Sequence, residues 1–472
     1  MLGASLSRAF HYSNPRWQSS WKYSLLGILI FPLSPFLGAV AIVLVLLVTW
    51  LQQYRTIIRR PLNWGFALLG VLLIITAGFA YDKTAAYLGL FNFLPFFLVF
   101  ATFSNLIQTP TQLRQMAWTL VMGSLPVVMM GLGQLFLGWN FKLQVLWIVF
   151  DWAIAPGGEP PGRMASIFMH ANTFAGYLVI VFILGLGLWL EQWRLALKSQ
   201  KSKVKSQEFL ISPQSPLPLI PTPSGSRGPE FPSPQSPIPF LFLTIAVIAD
   251  FTALIFTNSR NGWAIAIFAC LAYALYQGWR ILVGGVGAII TSVLLAAFAP
   301  VPIAQFFRQI VPAFFWARLN DEMYPDRPVA LMRKTQWQFA WSLTQQHPWT
   351  GWGLRSFSEL YKAQMQTPLG HPHNLFLMLF AETGFPSTIL FCALLGWILF
   401  AGMQLLRMPT YLDAQDKLIF FSYLMVFVGW LLFNTVDVSL FDFRLNTLFW
   451  LLLAAICGVT YHCQPLREIQ NK

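Results

Sequence analysis

The stretch GHPHNLFLMLFAETGFPSTILFCALLGWILF, residues 370–400, decides the fold. From Asn374 the chain is almost wholly apolar as far as residue 404, and Glu382 is its one charged side chain. About 17 to 25 helical residues cross a hydrocarbon core of roughly 30 Å, so this run is long enough to span a bilayer. Similar runs lie at 22–34, 36–52, 63–80, 84–103, 116–138, 166–190, 238–256, 262–277, 281–299, 417–434 and 443–461. The 472 residues are 56% hydrophobic, 16% aromatic and only 10% charged, and the mean hydropathy is +0.60. No soluble domain of this length has that composition. The runs lack the alternation of barrel strands. The chain therefore reads as an all-α polytopic membrane protein with about twelve transmembrane helices. Pro32 and Pro35 break the first two spans, which could equally be one interrupted helix.

The net charge of +13 marks orientation rather than nucleic acid, because no basic stretch sits in a fold that could dock on a duplex. With the N-terminus inside, the cytoplasmic set holds Arg55, Arg59, Arg60, Arg114, Arg194, Arg280, Arg407 and Lys417, while Lys83, Lys142, Arg163 and Arg260 are the basic residues of the short external loops. Both termini are thus expected inside. No cleavable signal is read at the N-terminus, and the first helix is expected to stay as an anchor. Cys270, Cys392, Cys457 and Cys463 lack metal-ligand spacing and read as small core residues.

These runs divide the chain into an N-terminal bundle (1–190), a cytoplasmic Pro/Ser-rich linker (191–237), three further spans (238–299), an external segment (300–373) and the C-terminal helices (374–472). The linker, with SPQSPLPLIPTPSGSRGPEFPSPQSPIP at its centre, buries too little apolar surface to fold. The external segment contains QWQFAWSL at 336–343, whose spacing suits a helix, and the turn GWG at 351–353 ends it. A partly helical subdomain packed on the bundle is expected there.

Topology alone then gathers several polar residues at one membrane face. Arg163 lies in GRMASIFMHAN (162–172) with His170 and Asn172; Arg260 follows Ser259 in TNSRNGW (257–263); Arg333 precedes Trp337 by one helical turn; His371 and His373 open the tenth span. Guanidinium groups offer a fixed fork of donors that suits phosphate oxygens. Histidine adds proton exchange near neutral pH. Each residue also has a bland explanation. An arginine near a helix end commonly snorkels, a lone histidine such as His170 commonly bonds in the core, and the His371–Asn374 cluster could merely cap a helix through Asn374. Capping does not need two histidines. Glu382 lies about 180° round the helix from His373 and about 80° from Asn374, so it is expected to buttress a neighbour. Asp250, Asp437, Asp442 and Arg444 read mainly as structural pairing. External loops show neither an Asp-x-Asp pair nor metal-spaced ligands, and no Walker-type loop is present. No metal or cofactor is expected.

Together, GRMASIFMHAN, NSRNGW (258–263), Arg333 with Trp337, HPWTGWGLRSF (347–357) and HPHNLFLMLFAETG (371–384) resemble the O-antigen ligase and O-antigen polymerase superfamily of bacterial membrane proteins. A narrower likeness, partly through DVSLFDFRLNTLFW (437–450), links the chain to cyanobacterial members labelled as bicarbonate transporters. The resemblance implies a lipid-dependent glycosyltransferase type C-like fold in the bacterial plasma (inner) membrane, with its active site facing the periplasm. It implies transfer of a glycan from an undecaprenyl diphosphate carrier to a hydroxyl on a lipid, protein or glycan acceptor, inverting and metal-independent. Under it, Arg260, Arg333 and Arg163 bind the diphosphate, His373 is catalytic with His371 beside it, and Asn374, Glu382 and Ser259 support them. Three rivals stand: a polysaccharide polymerase, an inorganic-carbon transporter or its accessory protein, and a non-catalytic scaffold. Membrane lipids are expected partners and nucleic acid is not.

Overall fold

The computed structural model describes residues 15–145, 150–211, 237–319 and 328–463. Its helices are α1 (Pro15–Ile30), α2 (Pro35–Ile58), α3 (Pro61–Gly78), α4 (Lys83–Gly89), α5 (Leu94–Leu106), α6 (Pro110–Phe136), α7 (Ala171–Ile211), α8 (Pro237–Phe256), α9 (Arg260–Tyr276), α10 (Arg280–Phe298), α11 (Val301–Ile310), α12 (Ala313–Leu319), α13 (Arg333–Gln346), α14 (Ser356–Met365), α15 (Leu375–Arg407), α16 (Ala414–Asn434) and α17 (Phe443–Cys463). Ten helices among the described residues are long and apolar enough to cross a membrane, with α4 and α5 forming one interrupted span. That is two fewer than expected. Helices α1 and α9, of 16 and 17 described residues, correspond to the other two apolar runs and lie at the lower edge of the crossing length. The first apolar region is two helices, because the chain turns at Phe31–Ser34 and Ser34 caps α2 at the N–H of Leu37 (3.4 Å).

The fold is all-α, with one small hairpin among the described residues. β1 (Phe141–Val145) and β2 (Phe150–Ile154) pair antiparallel in the loop before α7, where FKLQV alternates apolar and polar residues. Helix α7 continues to Ile211 and so enters the segment read as an unfolded linker. Lys, Gln and Glu fill that extension, and all tolerate helix well. Residues 212–236, the Pro-rich remainder, lie outside the described residues.

Trp450 of α17 is fully buried, and its ring meets Phe66 and Phe97 edge-on at 5.3 Å each. Helices α7 and α17 are central posts, whereas α10 is the most peripheral of the long helices. Polar contacts sort the turns into two faces. At one, Arg114 pairs with Glu191 (2.7 Å) and Asp416 (2.8 Å), and buried Arg60 donates to the carbonyl of Ser104 and to Asn105. The opposite face gathers the α6–α7 loop, the α8–α9 turn, the external segment and the α16–α17 loop. There Met164 N–H donates to Phe256 O (2.9 Å), Tyr81 N–H to Trp352 O (2.8 Å) and Arg444 to Ile167 O (3.0 Å).

Helix α15 has 33 residues, about 50 Å of helix, and exceeds the hydrocarbon thickness. It breaks at Gly384 (φ 72°, ψ 178°), followed by Pro386. The HPWTGWG loop docks into the break and satisfies the backbone groups it frees: Phe385 N–H donates to Pro348 O (2.8 Å), Trp352 N–H to Ala381 O (2.9 Å) and Gly353 N–H to Glu382 O (2.8 Å). The half of α15 before the break packs with α13 and α14 on Phe339, Phe357 and Tyr361, a small separate core.

Candidate active site

The HPH turn is held from two sides. Trp337 of α13 donates its indole N–H to Pro372 O (3.0 Å), so the helix carrying Arg333 one turn earlier is fixed beside the histidines. Asn374 caps α15 through Leu377 N–H (3.0 Å) and donates its amide to Thr435 O (3.0 Å), binding the turn to the α16–α17 loop. His373 adopts a left-handed backbone with φ 51°. A non-glycine residue there costs about 1–2 kcal/mol, a strain typical of functional positions.

Asp437, from the α16–α17 loop, is the centre of the cluster. Its Oδ1 lies 3.5 Å from His373 Nδ1 and 3.8 Å from His371 Nε2. Its Oδ2 accepts from the Asn172 amide (3.2 Å), and Asn172 Oδ1 accepts from Arg163 Nη2 (2.6 Å). The carboxylate is 8% exposed. Burial pushes its pKa up, but the adjoining His373 and His371 rings outweigh that and hold it below the usual range, so it is ionised at neutral pH. His371 moves the other way. Burial first, then His373, His170 and Arg333, push its pKa down to about 4 against the pull of Asp437, and it is neutral at pH 7. His170 is also lowered, by burial and then by Arg163.

The same geometry bears on metal binding. His371, His373 and Asp437 bring three ligand-type atoms within 4.8 Å of one another. However, His371 Nδ1 accepts from the His373 N–H (3.2 Å), so in the neutral ring Nε2 carries the proton. The nitrogen facing Asp437 then has no lone pair for a cation, and the donor set fits a histidine–carboxylate pair better than a metal.

The other expected residues fall into three groups. Arg260 and Arg333 are exposed and each is the first residue of its helix. A cation there opposes the helix dipole by about 0.3–1 kcal/mol, whereas two helix N-termini with two guanidinium groups suit an anion. Asn261 donates to Phe433 O (3.1 Å), which ties the start of α9 to the end of α16, just before the loop bearing Asp437. Arg163 Nε donates to Thr257 O (2.8 Å) and its Nη2 to Asn172 Oδ1 (2.6 Å), which ties this expected diphosphate ligand to the Asp437 cluster. Ser259 caps α9 at Gly262 N–H (3.4 Å), and buried Glu382 accepts from Phe357 N–H (3.2 Å) at the start of α14. Sequence reasoning placed Asp437 among structural pairs and gave Asn172 no role.

One prediction follows from His371. Its folded pKa of about 4 is below the unfolded value of 6.5, so the unfolded chain takes up the proton first as pH falls. Stability should be full above pH 6.5 and drop towards pH 4, by on the order of 2–3 kcal/mol. Thermal unfolding of the detergent-solubilised protein across that window should show the slope, and His371→Gln should flatten it. An unchanged slope in the variant refutes the assignment.

An all-helical polytopic membrane protein with a histidine–carboxylate centre, flanked by arginines on one face, defines the class. Residues 245–392 match the O-antigen ligase family, which supports placing the chain in the O-antigen ligase and polymerase superfamily. Arg260, Arg333, His371 and His373 fall inside the match; Arg163, Asn172 and Asp437 fall outside it. No curated protein matches the chain, and the likeness to members labelled as bicarbonate transporters gains no support from the match.

Proposed function

We propose that this chain is an O-antigen ligase-like glycosyltransferase that moves a glycan from undecaprenyl diphosphate to an acceptor hydroxyl at the outer face of the plasma membrane. The observation that carries this reading is ionised Asp437 facing both HPH rings. With Nδ1 of His373 turned to the carboxylate, Nε2 is left to take the acceptor's proton. The acceptor oxygen attacks the anomeric carbon as its O–H bond breaks and the proton passes to His373. The carbon–oxygen bond to the diphosphate breaks with inversion, and its electron pair leaves on the phosphate oxygen. Arg260 and Arg333 stabilise that charge. Asp437 stabilises the imidazolium that forms.

The test is transfer from an undecaprenyl diphosphate-linked glycan in reconstituted membranes. His373→Ala should lower the rate about 10²–10⁴-fold and Arg260→Ala about 10²–10³-fold, with both variants folded. Full transfer by His373→Ala would remove the base from the scheme. A chain that transfers no glycan from a broad donor panel, yet takes up labelled bicarbonate in an Arg260-dependent way, would overturn the enzyme reading.

A further inference from the structure

Helix α11 follows the end of α10 after two residues, so it starts at the membrane surface on the face of the candidate site. Its residues divide three ways. Ala304 is buried, and Arg308 reaches back to Ala296 O (2.9 Å) while its guanidinium stacks 4.0 Å over the Trp316 ring. Gln305 and Gln309 form an exposed polar edge. Ile303, Phe306 and Ile310, spaced i, i+3 and i+7, share an arc of about 60°. They are 47%, 58% and 66% exposed.

Helix α12 extends this apolar surface through Phe315 and Leu319, which are also exposed and one turn apart. Helix α10, which α11 follows directly, is only 11% buried over its span, and its Ile289, Leu294 and Phe298 are exposed. An apolar patch this large on an amphipathic helix, beginning where a lipid-facing span ends, needs an apolar partner. For α10, a candidate membrane span by length and hydropathy, that partner is lipid.

We propose that α11 and α12 lie in the plane of the bilayer, with Ile303, Phe306 and Ile310 seated among phospholipid acyl chains just below the headgroups and Gln305 and Gln309 towards water. This element rests the start of the external segment on the membrane and is independent of the transfer chemistry. Arg308 clamps it to α10, which fixes its rotation about its own axis.

The test uses the full chain reconstituted into vesicles of phosphatidylethanolamine and phosphatidylglycerol, with photoreactive benzoylphenylalanine placed at Phe306 in one variant and at Gln309 in another. After irradiation, mass spectrometry should find several-fold more phospholipid adduct on the Phe306 peptide than on the Gln309 peptide. Should the Phe306 variant fail to give monodisperse protein, the probe at Ile310 gives the same comparison. Equal yields at the two faces, or cross-links at the apolar position to a second copy of the chain in place of lipid, overturn the proposal.

Discussion

Asp437→Asn should lower transfer by roughly 30- to 150-fold in kcat while leaving KM nearly unchanged. Two opposite charges 3.5 Å apart attract by about 4–5 kcal/mol at an effective dielectric of about 20. The His373 side chain is 31% exposed, and solvent reduces that to about 2–3 kcal/mol. The attraction exists only once His373 carries the acceptor's proton, so it acts on the transition state and not on substrate binding. Asparagine keeps the shape and one acceptor oxygen, and Asn172 and Arg163 still brace the loop. The decisive result is a double-mutant comparison: Asp437→Asn should add little to His373→Ala, because the carboxylate acts through that ring. Additive losses would assign Asp437 to the fold or to the substrate instead.

The bundle was readable because each span is a long apolar run and the basic residues mark alternate turns. Helices α1 and α9 were readable as apolar runs, but their shortness depends on Phe31–Ser34 and on the turn before Ser259, and tertiary packing settles such ends. The linker's composition was read as one unit, yet helix continues through KSKVKSQEF because no Gly or Pro interrupts it before residue 213. At the site, the arginines and histidines could be placed on one face by counting spans. Asp437 could not be matched to its partners, since 64 residues separate it from His373 and the α15–α16 hairpin alone brings them together. Asn172 lies 265 residues from Asp437, and its bond to Arg163 joins that arginine to the cluster. Gly384 and Pro386 do signal a break in α15, but not what fills it. Thr383–Gly384–Phe385–Pro386 sits inside an apolar run of helical pattern, and the loop that fills the gap comes from another part of the chain.

Gly384→Ala should be among the most damaging single changes in the helices around the histidines. At φ 72° and ψ 178°, Gly384 occupies a region essentially closed to other residues, which costs about 1–3 kcal/mol for any side chain. A Cβ there would also sit 2.5 Å from the carbonyl oxygen of Trp349, a backbone atom that cannot swing aside. The loop would have to withdraw and give up the bonds from Phe385, Trp352 and Gly353, each worth about 1 kcal/mol. A total loss of about 4–6 kcal/mol is expected. Limited proteolysis should then cut within residues 347–370 at low protease while the membrane helices keep their circular dichroism. Transfer should fall as well, because His371 and His373 stand at the head of the half-helix that this loop supports. If Gly384→Ala keeps wild-type unfolding temperature and protease resistance, α15 can straighten without the loop, and its support for the histidines must come from the Trp337 and Asn374 contacts alone.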